Sequence, residues 1–427
     1  MCDTNFTVEK KNMKERIMKR GGGGRSGLAH LAFHRHYQVI GSDRGYDPTQ
    51  APYLQLKQNG TTFFPQDGSG ISPQTDIVVY STAIEADNPD LLAAKQHGVT
   101  ILHRAEFLQH LIPADAVVIA IAGTAGKTTT TGLIGYLFEQ AGLKPTVYSG
   151  AAVLNWNKQQ QLGNVRNGRD DLWIIEADES DRSLLHFHPT HTLLTNIGAD
   201  HYPIEELRHI FHQFQQQTQD HFIDASTIEP NLPIPEHQLI GEHNQTNIRN
   251  ACCFCQKLGL SSEAIEDGIR TFRGIERRLE KIGAFHSITV YDDYAHNPMK
   301  ISAAMQALTS PETALHTIWR PHGFKPLADQ FEALCQHFIS YYQRNAGTIT
   351  LLPVFYAGGT VKPTHTSADV VEALRAEHIP AFLVEQYDHL KPHILQHASA
   401  GDTLLGMGAR DPKLPLFLRS LITDASP

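Results

Sequence analysis

The sequence predicts an α/β protein with mostly parallel sheets, and three observations support that prediction. Strand-like apolar segments alternate with helical segments almost from end to end of the 427 residues, which is the order that parallel sheets require. Several apolar strands are followed at once by glycine, acidic or amide residues, as at the ligand-binding edge of such sheets. At roughly 150 residues per domain, the length fits about three domains.

Composition excludes several classes of protein. Hydrophobic residues make up 41% of the chain and charged residues 19%, which supplies a sizeable core and argues against global disorder. The net charge of −9 lacks the basic footprint of a nucleic-acid binder. No apolar run reaches the roughly 18 residues of a membrane helix, and the charged N-terminus does not resemble a secretory signal. Five cysteines do not make a disulfide framework, so we expect a cytoplasmic protein without nucleic-acid or membrane partners.

The first third of the chain predicts a nucleotide-binding α/β layout. It opens with a run of glycines at 21–24, and a helical pattern follows. Strands are predicted at 37–41, 77–80 and 99–102, with a helix over 89–97. A break near Pro113 places the end of this domain at residue 114, and the first 14 residues are expected to form a disordered tail.

Two further α/β segments follow, over 115–272 and 273–427. In the second segment the apolar strand 116–122 leads into a glycine-containing loop and a helix that ends near residue 141. The remaining predicted elements there are strands at 172–177 and 192–197, a loop at 230–235 and a helix at 244–258. In the third segment we predict strands at 288–292, 317–320, 348–355, 381–384 and 403–407, and helices at 327–344, 368–378 and 392–398.

The strongest local motif is the loop Gly123-Thr124-Ala125-Gly126-Lys127-Thr128-Thr129, between an apolar strand and a helix. That context is typical of a phosphate-binding loop, in which backbone amides at the helix start face the anion. Lys127 is then expected to contact the β- and γ-phosphates, and the Thr128 hydroxyl to bind Mg²⁺. Ile121 replaces the first glycine of the general motif, so the loop is a variant. The alternative is a glycine-rich turn before a core helix.

Two more strand ends carry polar side chains. The strand that ends at Glu176 continues into Asp178, Glu179 and Asp181, and carboxylate oxygens are the ligands that Mg²⁺ prefers. The run TNIGADH (195–201) places a second acid and His201 after another strand. Because parallel strands end at one edge of a sheet, the three clusters are predicted to converge there. Taken alone, the acidic run would indicate only an acidic surface turn.

Together these segments resemble the Mur ligases, which are ATP-dependent enzymes that build the peptide of bacterial cell-wall precursors. The matches keep the family order and cover most of the chain from about residue 21. They are GSD (41–43), STAIEADNP (81–89), GTAGKTTTT (123–131), EADESD (176–181), TNIGADH (195–201), GEHNQTNIRNA (241–251), RR (277–278), DDYAHNP (292–298), PHGF (321–324) and YAGG (356–359). The resemblance implies a Rossmann-like UDP-substrate domain at 1–114, a central P-loop ATPase domain at 115–272 and a Rossmann-like ligase domain at 273–427.

The resemblance also implies a reaction. ATP would phosphorylate the carboxylate of UDP-N-acetylmuramate to an acyl phosphate in the presence of Mg²⁺. The amine of an amino acid, with L-alanine as the first candidate, would then displace the phosphate and form an amide in peptidoglycan precursor synthesis. The enzyme is expected to act as a monomer or a homodimer.

Roles carry over from the family only at matching positions. Catalytic roles fall to Lys127, Glu176, His201 and Arg278, and the Mg²⁺ ligands to Thr128, Glu176 and His201. Contacts with ATP fall to Gly123, Thr124, Ala125, Gly126, Lys127, Thr128, Thr129, His243, Asn244, Asn247, Arg277, Arg278 and Asp293. Contacts with the other substrates fall to Gly22, Gly24, Ser26, Asp43, Ser81, His296, Asn297, Arg320, His322 and Tyr356.

Several departures from the family pattern keep alternatives open. Ala125 stands where His is usual, Gly323 stands where Arg is usual, and the span from His201 to Gly241 is short. The first glycine run is also preceded by two cations, Lys19 and Arg20. The alternatives are a recycling ligase that attaches a murein tripeptide to UDP-N-acetylmuramate, a Mur-like ligase with another carboxylate substrate, and a non-catalytic paralogue that binds nucleotide and acts as a partner or regulator.

Overall fold

A computed structural model of the protein describes residues 5–10, 13–17, 23–43, 46–48, 51–82, 84–157, 162–198, 202–355 and 363–423. Within these residues the fold is α/β, as predicted, and three six-stranded mixed sheets follow one another along the chain. The chain forms two compact units, Met1–Gln238 with Asn244–Ile275, and Leu239–His243 with Glu276–Pro427. No helix of the described residues is both long and apolar enough to cross a membrane.

The first sheet lies in the first compact unit. Its strands are β1 (Asn5–Lys10), β2 (Met13–Ile17), β3 (Tyr37–Ser42), β4 (Thr62–Phe64), β5 (Ile77–Tyr80) and β6 (Thr100–His103), and the helices of this segment are α1 (Gly23–His34), α2 (Ala51–Gln58), α3 (Pro89–Gln96) and α4 (Arg104–Leu111). The strand order is β4-β3-β2-β1-β5-β6. Of the tail predicted to be disordered at 1–14, residues 5–10 instead form strand β1, whose backbone pairs antiparallel with β3 and β5. That pairing is a tertiary effect which the local sequence does not reveal.

The second sheet completes the first compact unit. Its strands are β7 (Val117–Ala122), β8 (Pro145–Tyr148), β9 (Val165–Arg166), β10 (Arg169–Glu176), β11 (His191–Leu194) and β12 (His221–Asp224), with helices α5 (Lys127–Gln140), α6 (Ile204–Gln217), α7 (Glu242–Lys257) and α8 (Ser262–Thr271). The order is β12-β11-β7-β10-β8-β9, and β7 pairs in parallel with β10 and β11. The three predicted polar clusters therefore leave the same edge of the sheet.

The first two sheets share a hydrophobic core. One cluster of buried side chains contains Leu28 of α1, Phe107 of α4, Val118 of β7, Trp173 of β10 and Phe211 of α6. The predicted boundary at residue 114 thus lies inside one compact unit, whereas the predicted boundary at residue 272 lies close to the end of that unit at Ile275.

The third sheet forms the second compact unit. Its strands are β13 (Glu280–Phe285), β14 (Ile288–Asp293), β15 (Leu315–Trp319), β16 (Gly347–Leu351), β17 (Ala381–Leu383) and β18 (Thr403–Met407), with helices α9 (Pro298–Ala307), α10 (Phe324–Asp329), α11 (Phe331–Tyr342), α12 (Ser367–Ala376), α13 (Leu390–His397) and α14 (Lys413–Thr423). The order is β13-β14-β18-β15-β16-β17, and β13 is antiparallel to its neighbour. The single helix predicted at 327–344 is wrong, because Gln330 has φ −123° and ψ 11° and separates α10 from α11.

Candidate active site

The phosphate loop connects β7 to α5 and depends on two glycines. Gly123 and Gly126 have φ of +128° and +82°, a region that residues with a Cβ rarely adopt. A Cβ on Gly123 would also collide with the Thr195 hydroxyl, and one on Gly126 with the Asn247 side chain. The loop can therefore take this path only with glycine at both positions.

The segment after β11 braces this loop. The Asn196 side chain accepts a hydrogen bond from Ala125 N (3.0 Å) and donates one to Ala125 O (2.9 Å). The Thr195 hydroxyl donates to Ala125 O at 2.7 Å, and Gly198 N donates to the Thr124 hydroxyl at 3.1 Å. The sequence motif at 195–198 thus fixes the loop backbone. His201 lies outside the described residues, so its role as a metal ligand stays a prediction.

Lys127 begins α5 and carries the loop's positive charge. Its Nζ donates to Gly123 O at 2.7 Å and to Glu179 Oε2 at 2.6 Å, and it lies 3.8 Å from Asp178 Oδ1. Burial alone would lower the pKa of Lys127, but the carboxylates of Asp178, Glu179 and Glu176 raise it above the ordinary value. The ammonium therefore stays protonated. Glu179 and Asp178 were not among the predicted site residues, although the run of four carboxylates at 176–181 indicated that acids lie near the phosphate loop.

Thr128 and Glu176, both predicted as Mg²⁺ ligands, contact each other. The Thr128 hydroxyl donates to Glu176 Oε1 at 2.9 Å, and Gly150 N donates to Glu176 Oε2 at 2.6 Å. A hydroxyl and a carboxylate oxygen side by side fit the oxygen-ligand preference of Mg²⁺. Among the described residues no group of three His, Cys, Asp or Glu is arranged to hold a metal. A cation at this pair would therefore take further ligands from substrate phosphates and water.

Arg104, from the first sheet's segment, contacts the acidic loop, and no sequence motif predicted this contact. Its guanidinium donates to Asp181 Oδ2 at 3.0 Å and to the Ser183 hydroxyl at 3.2 Å, and lies 3.5 Å from Asp178 Oδ2. Burial would raise the pKa of Asp178, but Lys127 and Arg104 hold it below its usual value. Asp178 thus lies between two cations as a charged carboxylate.

Three other predicted nucleotide contacts belong to the same unit. Thr129 is buried in the first turn of α5. On α7, Asn247 Nδ2 donates to Asn244 Oδ1 at 3.3 Å, and the Asn247 amide oxygen faces the backbone of Gly126. The structure therefore brings Asn247 to the phosphate loop, with Asn244 beside it.

The predicted sugar-nucleotide residues lie in the first sheet's segment. Ser26 on α1, Asp43 after β3 and Ser81 after β5 are all buried. Asp43 accepts a hydrogen bond from the Tyr53 hydroxyl at 2.5 Å. Gly24 lies at the start of α1, and Gly22 lies outside the described residues. Both β3 and β5 run antiparallel to β1, so Asp43 and Ser81 follow strands that end at the same edge.

In the second unit, a buried aspartate shapes the paired-arginine turn. Asp293 accepts hydrogen bonds from Leu279 N and Ala295 N, both at 2.7 Å, and burial raises its pKa. Arg277 and Leu279 have φ of +58° and +47°, so Arg278 sits at the tip of a strained turn. Its guanidinium lies 5.3 Å from the centre of the Tyr294 ring.

Two of the predicted nucleotide contacts near this turn have other partners. The Arg277 Nε donates to Asp292 Oδ2 at 3.2 Å, and burial, opposed by Arg277, raises the pKa of Asp292 to about 7. Arg277 therefore supports the turn. Burial lowers the pKa of His243, while the charge of Asp293 counteracts this effect.

The predicted amine-site residues follow β14 and β15. His296 Nδ1 donates to Tyr294 O at 2.9 Å, and its ring lies 5.0 Å from that of His322. Asn297 Oδ1 accepts from Lys300 N at 2.9 Å and caps α9. Arg320 donates to Asp411 Oδ2 at 2.5 Å. His296 and His322 are thus brought together, while Asn297 and Arg320 make structural contacts. Tyr356 lies outside the described residues.

The chain is similar to known proteins over most of its length. Residues 16–115 match the Mur ligase family catalytic domain, residues 121–210 the Mur ligase middle domain, and residues 277–410 the Mur ligase glutamate ligase domain. The chain is 31% identical to the UDP-N-acetylmuramate–L-alanine ligase of Acaryochloris marina, over 92% of this chain and 91% of that protein. It is also 31% identical to the ligase of the same name from Gloeobacter violaceus, over 95% of each.

Solved structures show the same fold. A UDP-N-acetylmuramate–alanine ligase from Thermotoga maritima superposes with a TM-score of 0.77 at 21% identity, covering 95% of this chain and 97% of that one. A murein peptide ligase from Psychrobacter arcticus superposes with a TM-score of 0.64 at 20% identity, covering 94% and 96%. The three-domain Mur ligase architecture is therefore present, and the chain belongs to the Mur ligase family.

Proposed function

We propose that this protein is an ATP-dependent ligase that joins the carboxylate of UDP-N-acetylmuramate to L-alanine, through an acyl phosphate, in peptidoglycan precursor synthesis. The observation that best supports this proposal is the phosphate loop, in which Lys127 is charged and pairs with Glu179, and the Thr128 hydroxyl is hydrogen-bonded to Glu176. In addition, two relatives named UDP-N-acetylmuramate–L-alanine ligase are 31% identical to this chain over nearly their whole length.

The loop residues fit the chemistry of carboxylate activation. A carboxylate is a poor acyl donor, and phosphoryl transfer to it brings two anions together, so the transition state needs fixed positive charge. The loop amides and the Lys127 ammonium supply donors that are already oriented, because Asn196 and Gly123 O hold them in place. When bound at Thr128 and Glu176, Mg²⁺ would neutralise further phosphate charge.

Residues of the second unit fit the role of binding the nucleotide and the amine. The turn that presents Arg278 is fixed by Asp293, so its guanidinium is available as a phosphate ligand. The donor in the His296 hydrogen bond must be Nδ1–H, because Tyr294 O can only accept. Its Nε2 is then an unprotonated acceptor that suits the amine of an incoming substrate.

A recycling ligase that attaches a tripeptide to the same sugar nucleotide is the second candidate. It is favoured by Gly323 in place of the usual arginine, and by the run Arg278-Leu279-Glu280. The chemistry at the phosphate loop would be the same, and only the amine substrate would differ.

Phosphate release from MgATP and UDP-N-acetylmuramate, scanned across single amino acids and the tripeptide, tests both candidates. Release that requires the sugar nucleotide and L-alanine supports the first, and release that requires the tripeptide selects the second. Lys127→Ala should abolish release without unfolding the protein, whereas the exposed Lys95→Ala should not. Near-normal release by Lys127→Ala would refute the role of the loop.

A further inference from the structure

Three neighbouring parallel strands of the third sheet end in register. Asp293 of β14 and Trp319 of β15 both pair with Met407 of the central strand β18. Counting three residues onward from each of these positions gives His296, His322 and Arg410. These residues therefore occupy equivalent positions on adjacent turns at the carboxyl edge of the sheet, where α/β folds bind ligands. The contact between the His296 and His322 rings, at 5.0 Å, agrees with that placement.

Unlike Arg320 and Arg277, Arg410 has no hydrogen-bond or ion-pair partner among the described residues. Arg320 is bonded to the buried carboxylate of Asp411, and Arg277 to that of Asp292. The Arg410 guanidinium makes no ion pair or hydrogen bond with the part of the chain that the structure describes. Its backbone is nevertheless fixed, because the next residue, Asp411, is buried and accepts a hydrogen bond from Lys413 N at 2.9 Å.

The surroundings of Arg410 favour an anionic ligand. Burial and the nearby positive charges of Arg410 and Lys300 lower the pKa of His322 to about 4, and the same charges attract a carboxylate. Burial and Lys300 likewise lower the pKa of His296 to about 3. A guanidinium offers a rigid pair of N–H donors that matches the two oxygens of a carboxylate. Gly323, two positions beyond Pro321 on the neighbouring turn, has no side chain that could bind a carboxylate.

We propose that Arg410 binds the carboxylate of the incoming amino acid. This inference rests on the proposed ligase function and adds the residue that selects an amine bearing a carboxylate. The neutral His296 then lies near the amine end of the same substrate, with its Nε2 as a hydrogen-bond acceptor.

The test compares L-alanine with L-alaninamide, which keeps the amine and lacks the carboxylate. The ratio of their kcat/KM values does not depend on how much of a sample is folded. In the wild type we expect L-alanine to be favoured strongly, and in Arg410→Met we expect this preference to fall by about tenfold or more, through the KM for L-alanine. The KM for ATP should stay unchanged. Arg410→Lys should keep part of the preference, because lysine keeps the positive charge but lacks the paired N–H donors of a guanidinium.

Arg344→Met is the matched control, since Arg344 is an exposed arginine of the same unit that follows α11. It should keep the wild-type ratio. An active Arg410→Met enzyme with an unchanged preference for L-alanine would overturn the assignment of Arg410 and leave the proposed function standing. A wild-type protein that releases no phosphate with any amine would overturn the proposed function, and this inference with it.

Discussion

Asn196 shows how one side chain can set the geometry of a phosphate loop. Both polar atoms of its side-chain amide are hydrogen-bonded to the backbone of Ala125. Because a phosphate loop binds its ligand through oriented backbone amides, holding that one peptide holds the loop's donors. This bracing uses only the backbone of Ala125 and does not depend on the side chain at that position.

We predict that Asn196→Ala raises the KM for ATP by about tenfold, because two backbone hydrogen bonds are lost from the loop. The melting temperature should change little, since Asn196 is exposed. Asn155→Ala is the control. Asn155 also bridges two backbone groups, Thr271 O at 2.9 Å and Arg273 N at 2.8 Å, without touching the loop. Equal KM values for the two variants would contradict the bracing role.

How well the sequence predicted the site depends on how local each contact is. Lys127 and Thr128 could be predicted because a strand, a loop and a helix in order are typical of a phosphate site. Glu176 could be predicted because it ends a core strand, and that strand, β10, pairs in parallel with β7. Which of the four neighbouring acids pairs with Lys127 depends on the path of the loop, and it is Glu179. Arg104 lies 77 residues from its partner Asp181, and no local pattern connects two such positions.

At the scale of elements, Asn297 belongs to a family motif and is also the N-cap residue of α9. Asn297 was predicted to contact substrate, and the structure shows that its side chain caps the helix at Lys300 N. Asparagine and aspartate are both good N-cap residues, because their side-chain oxygen satisfies a free backbone N–H at the helix start. Pro298 follows Asn297 at the first helical position, where proline is favoured, and this agrees with Asn297 as the N-cap residue.

We predict that Asn297→Ala lowers the free energy of unfolding by about 1 kcal/mol, whereas Asn297→Asp keeps most of it. Urea denaturation of the two variants measures this difference. The Asp variant also separates the two roles of the residue. If its stability is kept while its KM for the amine changes, Asn297 contacts the substrate as well. An equal loss of stability in both variants would rule out the cap.

Element boundaries were predictable where the pattern was long and apolar. The strands at 77–80 and 403–407 were predicted with the bounds that the structure shows. The helix predicted at 327–344 failed because its hydrophobic pattern continues across Gln330 while the backbone does not. Strand β1 was missed because it is held by pairing with distant strands. Tertiary contacts of this kind override local preference.

At the scale of the whole molecule, the half-buried His393 of the second unit should make the stability of that unit depend on pH. Burial, with help from His397 and His316, lowers the pKa of His393 to about 4, whereas an unfolded histidine titrates near 6.5. As the pH falls from about 6.5 to 4, the unfolded chain binds a proton that the native His393 does not. The free energy of unfolding must therefore decrease over this window.

Between pH 7 and pH 5 the free energy of unfolding should decrease less in His393→Gln than in the wild type, by about 1 kcal/mol. This value allows for the partial exposure of the histidine ring. Glutamine can keep the hydrogen bond to the Thr350 hydroxyl. Urea midpoints at the two pH values measure the effect. His389→Gln, at an exposed histidine nearby, should behave as the wild type. The same pH slope in His393→Gln and the wild type would contradict the prediction.

The first two sheets are tied together by polar contacts as well as by their common core. Arg104 of α4 contacts Asp181, whose side chain is 10% exposed, while Arg35, just after α1, contacts Asp170, whose side chain is 71% exposed. Both pairs join the segment before residue 114 to the segment after it. Their difference in burial makes them a natural comparison, because an exposed ion pair contributes little and a buried charge without its partner is costly.

We predict that Arg104→Met lowers the free energy of unfolding by about 3 kcal/mol, because it leaves the Asp181 carboxylate buried without its arginine. Arg35→Met should cost less than about 1 kcal/mol, since a methionine can keep the packing that Arg35 makes 4.4 Å from the Trp173 ring. Adding Asp181→Asn to Arg104→Met should recover part of the loss, and a double-mutant cycle measured by urea denaturation gives that coupling. Equal costs for Arg104→Met and Arg35→Met would show that the acidic loop does not depend on Arg104, and that the apolar core alone holds the two segments in one unit.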